Sequence, residues 1–259
     1  STFPELVPKM ADGWKDVTLA QLLSHRAGLP ANLEWARFSR DDLPAARLEA
    51  LRTAVRQPPK SAPGTKFVYS NAGYVLAGAM IERVTTNAWE REIAARMFGP
   101  LGMASAGFGG VGTPGKIDQP WGHLDDGRPA ARNGPDMDNP PVLGPAGRVH
   151  CTIADWAKFI AGQLRGARGE PSWPGPATIK AMLTPPPGGD YAFGWGVARR
   201  DWGGGTVYHH TGCNTMNTAV AWMAPEKDFA VLVCINQGGP RAAAAADEAA
   251  SALIRWYGR

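Results

Sequence analysis

The chain has 259 residues, 44% of them hydrophobic and 9% aromatic, which is enough to bury one large core or a main domain with a smaller lobe. Its 27 basic residues against 23 acidic ones leave a net charge of only +4, and the basic positions are scattered, which argues against nucleic acid as a partner. No apolar run approaches the roughly 18 residues of a membrane span, and the first residues lack the basic head and apolar stretch of a signal peptide. Cys151, Cys213 and Cys234 show no CxxC or CxxH spacing, so a structural zinc site is not expected. The 32 glycines and 23 prolines point to long loops.

In chain order, Thr18 to Leu23 has helical spacing with Gly28 and Pro30 as stop signals, and Arg40 to Gln57 reads as a second helix closed by Pro58-Pro59. Lys66 to Tyr69 reads as a brief extended piece, with Asn71 as the expected cap of the helix that follows. Ala88 to Phe98 places Trp89, Ile93 and Met97 on one helical face, closed by Gly99-Pro100. Gly102 to Gly147 has little periodicity, as expected of a functional loop such as a cleft wall. Thr152-x-x-Asp155 predicts a capping box at the start of a helix, and Ala177 to Leu183 a further helix. The period then changes to two: Tyr191 to Arg200, Thr206 to His210, Asn217 to Ala224 and Phe229 to Asn236 predict an antiparallel meander, followed by an alanine-rich helix from Arg241 to Trp256.

Several short motifs run in a fixed order over nearly the whole chain: Leu22-Leu23-Ser24-His25-Arg26-Ala27-Gly28-Leu29, Pro63-Gly64 through Tyr69-Ser70-Asn71-Ala72-Gly73-Tyr74, Pro100-Leu101-Gly102-Met103, Ala146-Gly147 before Thr152-x-x-Asp155, Phe193-Gly194-Trp195-Gly196, and His210-Thr211-Gly212. In this order they resemble the serine β-lactamase and penicillin-binding protein superfamily, nearest its class C, D,D-carboxypeptidase and esterase branch. The resemblance implies an α/β fold: an antiparallel sheet flanked by helices, a mostly helical second lobe, and a site in the cleft between them. It gives one domain over 1–259, with a helical lobe at 18–165 that includes the cleft-wall loop 102–147, and strands with a C-terminal helix at 190–259. It also implies an extracytoplasmic, periplasmic setting, no cofactor and no metal, and a small-molecule or peptide substrate.

By the same resemblance Tyr69 is the general base, a role a phenol can fill only where nearby cations lower its pKa. Asn71 holds the catalytic lysine and the substrate carbonyl, and Ser70 between them is structural. His210 stands where much of the family has lysine; charged it would bind a substrate carboxylate, and neutral it would make a single hydrogen bond. Thr211 and Gly212 bind substrate along the strand edge, and the backbone N–H of Cys213 is half of an oxyanion hole, its thiol incidental. A metal cluster of His209, His210 and Cys213 is disfavoured because neighbours on a strand face opposite ways. Trp195 and Trp202 are either cleft-lining or core.

One motif of the family does not occur: no serine among Ser24, Ser39, Ser61, Ser70, Ser105, Ser172 and Ser251 has a lysine three residues later. Ser24 beside His25 is the best substitute nucleophile in the chain. Phe3-Pro4-Glu5-Leu6-Val7-Pro8 is similar to a family segment downstream of the nucleophile helix, so the chain is expected to be N-terminally truncated, completed by an N-terminal fragment or a second chain. Two functions are then open: a serine hydrolase cleaving an amide or ester through an acyl-enzyme with its nucleophile outside this chain, or an inactive family member that binds peptide or cell-wall ligands.

Overall fold

A computed structural model describes residues 9–38, 41–113, 116–130 and 138–258; the Phe3 to Pro8 segment lies outside them. The chain divides into two compact units, a helical one of Ser1–Ala95 with Pro140–Arg148 and a sheet unit of Arg96–Asn139 with Val149–Arg259. In chain order the elements are α1 Leu19–Leu23, α2 Leu43–Ala54, α3 Asn71–Thr85, α4 Trp89–Ile93, the short α5 Gly99–Leu101, β1 Gly107–Phe108, α6 Gly144–Gly147, β2 Val149–His150, α7 Ile153–Ala167, α8 Pro176–Leu183, β3 Gly196–Arg200, β4 Gly205–Cys213, β5 Thr218–Ala224, β6 Phe229–Ile235 and α9 Gly239–Tyr257. Among the described residues no helix is long and apolar enough to cross a membrane.

In the helical unit the caps set the element starts. The Thr18 hydroxyl accepts from the Gln21 N–H while the Gln21 side chain accepts from the Thr18 N–H, a complete capping box. Asp42 accepts from the Ala45 N–H at 3.1 Å and Pro44 occupies the first turn of α2, so that helix starts at Leu43. Trp14, Leu22, Leu29, Leu51, Val55 and Leu76 form one core cluster. A second joins α2 and α3 through Ala46, Ala50, Val75, Val142 and Leu143. Inside this packing Arg47 is wholly buried, paired with Glu82 and Glu90 and donating from Nε to the Val142 carbonyl at 3.3 Å. Burial pushes the Glu82 carboxyl up, opposed by the Trp89 N–H and the Arg47 charge.

The sheet unit is built on the antiparallel order β3-β4-β5-β6. Alternation along β5 gives the sheet two different faces. Ala221 and Met223 pack with Trp195 against Ile160 and Leu164 of α7 and Ile179 and Leu183 of α8, whereas Val220, with Val231, packs against Ala246 and Ala250 of α9. The alanines at 242, 246 and 250 are all buried, and their small side chains let α9 lie close on the sheet.

Local signals and tertiary partners disagree at three places. Ser70, not Asn71, caps α3: its hydroxyl accepts from the Gly73 N–H at 3.3 Å and Asn71 is already helical. Thr152 caps α7 by accepting from the Asp155 N–H, but Asp155 does not reach back to complete the box. Its carboxylate instead takes the Lys158 ammonium at 2.6 Å and both the N–H and hydroxyl of Ser105, which together hold its pKa down to about 2, and the Thr152 N–H turns to the Ser105 hydroxyl. Finally, β3 starts at Gly196 and not at Tyr191, because the chain turns tightly through Gly194 (φ +86°) and the Ala192 N–H bonds the Trp195 carbonyl at 2.8 Å.

Candidate active site

The Tyr69-Ser70-Asn71 segment belongs to no sheet; it is held by the residues that follow α1. The Val68 N–H donates to the His25 carbonyl at 2.8 Å, the Gly64 N–H to the Arg26 carbonyl at 2.7 Å, the Lys60 N–H to the Gly28 carbonyl at 2.9 Å and the Asn71 N–H to the Ala31 carbonyl at 2.9 Å. Side chains complete the splint: the Ser70 hydroxyl donates to the Pro30 carbonyl at 2.6 Å and the Tyr74 hydroxyl to the Leu23 carbonyl at 2.9 Å. The close approach requires glycine at 28, whose φ is +82° and where a Cβ would lie 2.4 Å from the Ser61 carbonyl oxygen. The two sequence motifs, around Ser24 to Leu29 and around Tyr69 to Tyr74, are therefore one piece of structure.

On this splint Tyr69 keeps 44% of its surface exposed, and desolvation of the remainder pushes its phenol above the ordinary range. Asn71 donates from its amide to the Asn32 side-chain oxygen at 2.9 Å, while Ser70, 2% exposed, is engaged by the cap and by Pro30. Ser24 is also 2% exposed and its hydroxyl donates to the Ala20 carbonyl at 2.7 Å. That is a helix-end hydrogen bond, not a group presented to a substrate.

In the sheet unit, His210, Thr211, Gly212 and Cys213 form the second half of β4, which extends to Cys213 and not only to His210. Pairing with β3 ends at Gly196 opposite His209, so the outer edge of β4 from His210 onward has no strand partner among the described residues. On the inner side β4 pairs with β5 through Cys213 opposite Thr218. The Asn214 N–H crosses to the Asn217 carbonyl at 3.3 Å, which sets the alternation. His210 and Gly212 direct their backbone groups at β5, and Thr211 and Cys213 direct theirs at the open edge.

The side chains alternate as well. His209 stacks on Trp222 with ring centroids 4.6 Å apart, whereas His210 lies on the opposite face with Nδ1 3.3 Å from the Tyr191 hydroxyl. Desolvation lowers the His210 pKa and His209 adds to it, against a hydrogen bond that the ring donates to the Gly194 backbone, which raises it. Of the two options open from sequence, this direction favours the neutral hydrogen-bonding imidazole.

Beyond Cys213 the chain is pinned. The Asn214 side-chain oxygen accepts from the Met216 and Asn217 N–H groups, and its amide donates to Asp138 at 2.9 Å. Part of the long loop 102–147 also docks here: the His123 N–H donates to the carbonyls of Met216 and Asn236, and Gly238 donates back to His123. Trp195 is core at 6% exposure, and Trp202 packs on Trp222 and Phe229.

Residues 4–254 match the family model described as Beta-lactamase. The chain belongs to the Beta-lactamase family. Within that family it is 25% identical over 248 residues to Penicillin-binding protein 4 of Amycolatopsis lactamdurans, covering 86% of this chain and 60% of that protein. It is 28% identical over 232 residues to Unguisins hydrolase ungD' of Aspergillus campestris, covering 85% of this chain and 42% of that protein. The chain thus spans less than two thirds of the length of these relatives. Its fold is similar to the crystal structure of a penicillin binding protein from Bacillus halodurans, with a TM-score of 0.68, 24% identity, and coverage of 95% of this chain and 77% of that one. The mixed α/β architecture with an antiparallel sheet is thus the penicillin-binding-protein-like fold expected from sequence.

Proposed function

We propose that this chain carries one part of a serine hydrolase that cleaves an amide or ester, of the β-lactam or D-alanyl peptide type, through an acyl-enzyme. The nucleophilic serine comes from outside these 259 residues. Tyr69 is the general base: as the serine oxygen attacks the carbonyl carbon, its proton passes to the phenolate, and the carbonyl electrons move onto oxygen. The Cys213 N–H is one donor to that oxyanion, while Thr211 aligns substrate along the strand and Gly212 leaves room for it. Collapse of the adduct expels the amine or alkoxide, which takes the proton back from Tyr69, and water then hydrolyses the acyl ester. Asn71 donates to the substrate carbonyl or holds the lysine that accompanies the serine. His210, neutral, hydrogen-bonds substrate instead of binding its carboxylate by charge.

The observation that carries this reading is the open edge of β4, where a strand ending in Thr-Gly-Cys leaves the Cys213 amide directed outward and without a backbone partner among the described residues. Tyr69 in its present surroundings is too basic to be a phenolate at neutral pH, so the mechanism requires the lysine of the Ser-x-x-Lys segment to lower it. The test is mass spectrometry with a penicillin or an activated ester. A longer product of the same reading frame carrying Ser-x-x-Lys roughly 20–60 residues upstream gains the mass of one acyl group, and these 259 residues alone do not. A longer product that carries the motif and stays unmodified by every probe refutes the acyl-enzyme and leaves a binding module.

A further inference from the structure

His25 is 2% exposed, titratable and aromatic, and the acyl-transfer scheme gives it no role. Its backbone lies at a φ of +57°, in the left-handed region that few residues other than glycine enter and where asparagine, aspartate and histidine are the most frequent of them. Its side chain does three things there. Nδ1 accepts the Ser70 N–H at 3.0 Å across 45 residues of sequence, the ring lies against Tyr69 with centroids 4.2 Å apart, and Tyr74 and Phe67 close the other sides at 5.3 and 5.7 Å. A ring nitrogen that accepts an amide proton cannot itself be protonated, so this geometry holds His25 as the neutral imidazole.

We propose that His25 is a positioning residue for Tyr69. Nδ1 fixes the backbone at Ser70 and the ring face fixes the orientation of the phenol. The effect on catalysis rests on the reading of Tyr69 as the base; the effect on Tyr69 geometry does not. Three observations converge on it: the carbonyl of His25 takes the Val68 N–H and its side chain takes the Ser70 N–H, so one residue brackets Tyr69 on both sides, while its ring supplies the surface on which the tyrosine lies. A side chain needed only to fill space there would not require an acceptor nitrogen aimed at the amide after Tyr69.

The two parts separate by substitution. His25→Asn suits the left-handed backbone and keeps an acceptor at the position of Nδ1 but removes the ring; His25→Phe keeps a ring and removes the acceptor. In the chain labelled with 15N and with ring-13C tyrosine, His25→Asn retains Ser70 amide protection within about threefold while Tyr69 loses its ring-current shift; His25→Phe speeds Ser70 exchange about tenfold and leaves Tyr69 ring-shifted. Tyr191 and Tyr208, in the other unit, stay unchanged in both. Unchanged Ser70 exchange and Tyr69 shifts in both variants overturn the proposal, as do changes of equal size at Tyr191 and Tyr208, which would mark general loosening. In the longer acylating form His25→Phe lowers kcat about tenfold with KM within about twofold, and an unaltered kcat overturns the catalytic part. Tyr69→Phe runs alongside: if it acylates at the wild-type rate, the base assignment is at fault, and the NMR comparison alone then decides the role of His25.

Discussion

Placing proline at Cys213 separates the chemistry of the β4 edge from its structure. Proline removes the backbone N–H, and the alternation along β4 says that this N–H faces the open edge and makes no bond to β5. Cys213→Pro therefore deletes no ladder hydrogen bond and costs about 1 kcal/mol or less of stability, as proline does with its nitrogen on the free side of an edge strand. One residue earlier the situation reverses. Gly212 pairs with Ala219 through the ladder, so Gly212→Pro leaves the Ala219 carbonyl unpaired and costs about 1–3 kcal/mol. For acylation by an activated ester in the serine-bearing form, loss of one oxyanion donor predicts a fall in kcat of about 100- to 1,000-fold for Cys213→Pro, or about 2.7–4 kcal/mol. Cys213→Ala keeps the amide and stays near wild type. Stopped-flow acylation rates and urea denaturation of the same preparations give both quantities. The geometry can also be checked without chemistry, because Thr211 and Cys213 amides should exchange with solvent much faster than those of His210 and Gly212. Equal protection of all four, or a Cys213→Pro variant that acylates within about threefold of wild type while remaining folded, refutes the reasoning.

Further outcomes follow from the two units. Arg47→Ala leaves Glu82 buried without its counter-charge and lowers stability by about 3–5 kcal/mol, whereas Arg47→Met with Glu82→Gln and Glu90→Gln costs far less; chemical denaturation distinguishes them. His210 titrates below its ordinary value, and the unfolded chain therefore binds its proton first as pH falls. Stability is unaffected above about pH 6.5, declines below it and levels off beneath the folded pKa, and His210→Asn removes that part of the slope, leaving the part due to His209, which shifts the same way. The Tyr69 phenol titrates above 10 in this chain by 13C NMR and falls when the lysine-bearing segment is present; an unchanged value would exclude lysine as its electrostatic partner.

What sequence made visible was local chemistry. The helical spacing after Thr18, the period-two runs of β5 and β6 and the alanine-rich run of α9 each act within a few residues, and the structure follows them. Where a choice depended on a distant partner, sequence pattern could not make it. Ser70 and Asn71 are equally good caps by type, and the Pro30 carbonyl, forty residues away, selects serine. Asp155 looked like half of a box until Ser105 took its carboxylate. The length of β4 was underestimated because Thr211-Gly212-Cys213 carries a glycine, while the partner that keeps it extended is β5. His25 was legible as part of a motif but not as a support for Tyr69, since nothing in the spacing reveals a contact across 45 residues.

The cap at Ser70 has a practical consequence for mutagenesis of residues 69–71. Its neighbours, the exposed Tyr69 and the half-buried Asn71, do not cap α3 with their side chains, but the middle residue is fixed by architecture. Ser70→Ala would lose both the α3 cap and the Pro30 hydrogen bond, about 1 kcal/mol each. In a mutational library across residues 69–71, tolerance for folding should therefore be lowest at the centre of the motif, and, on the roles proposed for Tyr69 and Asn71, sensitivity of turnover highest at its two ends.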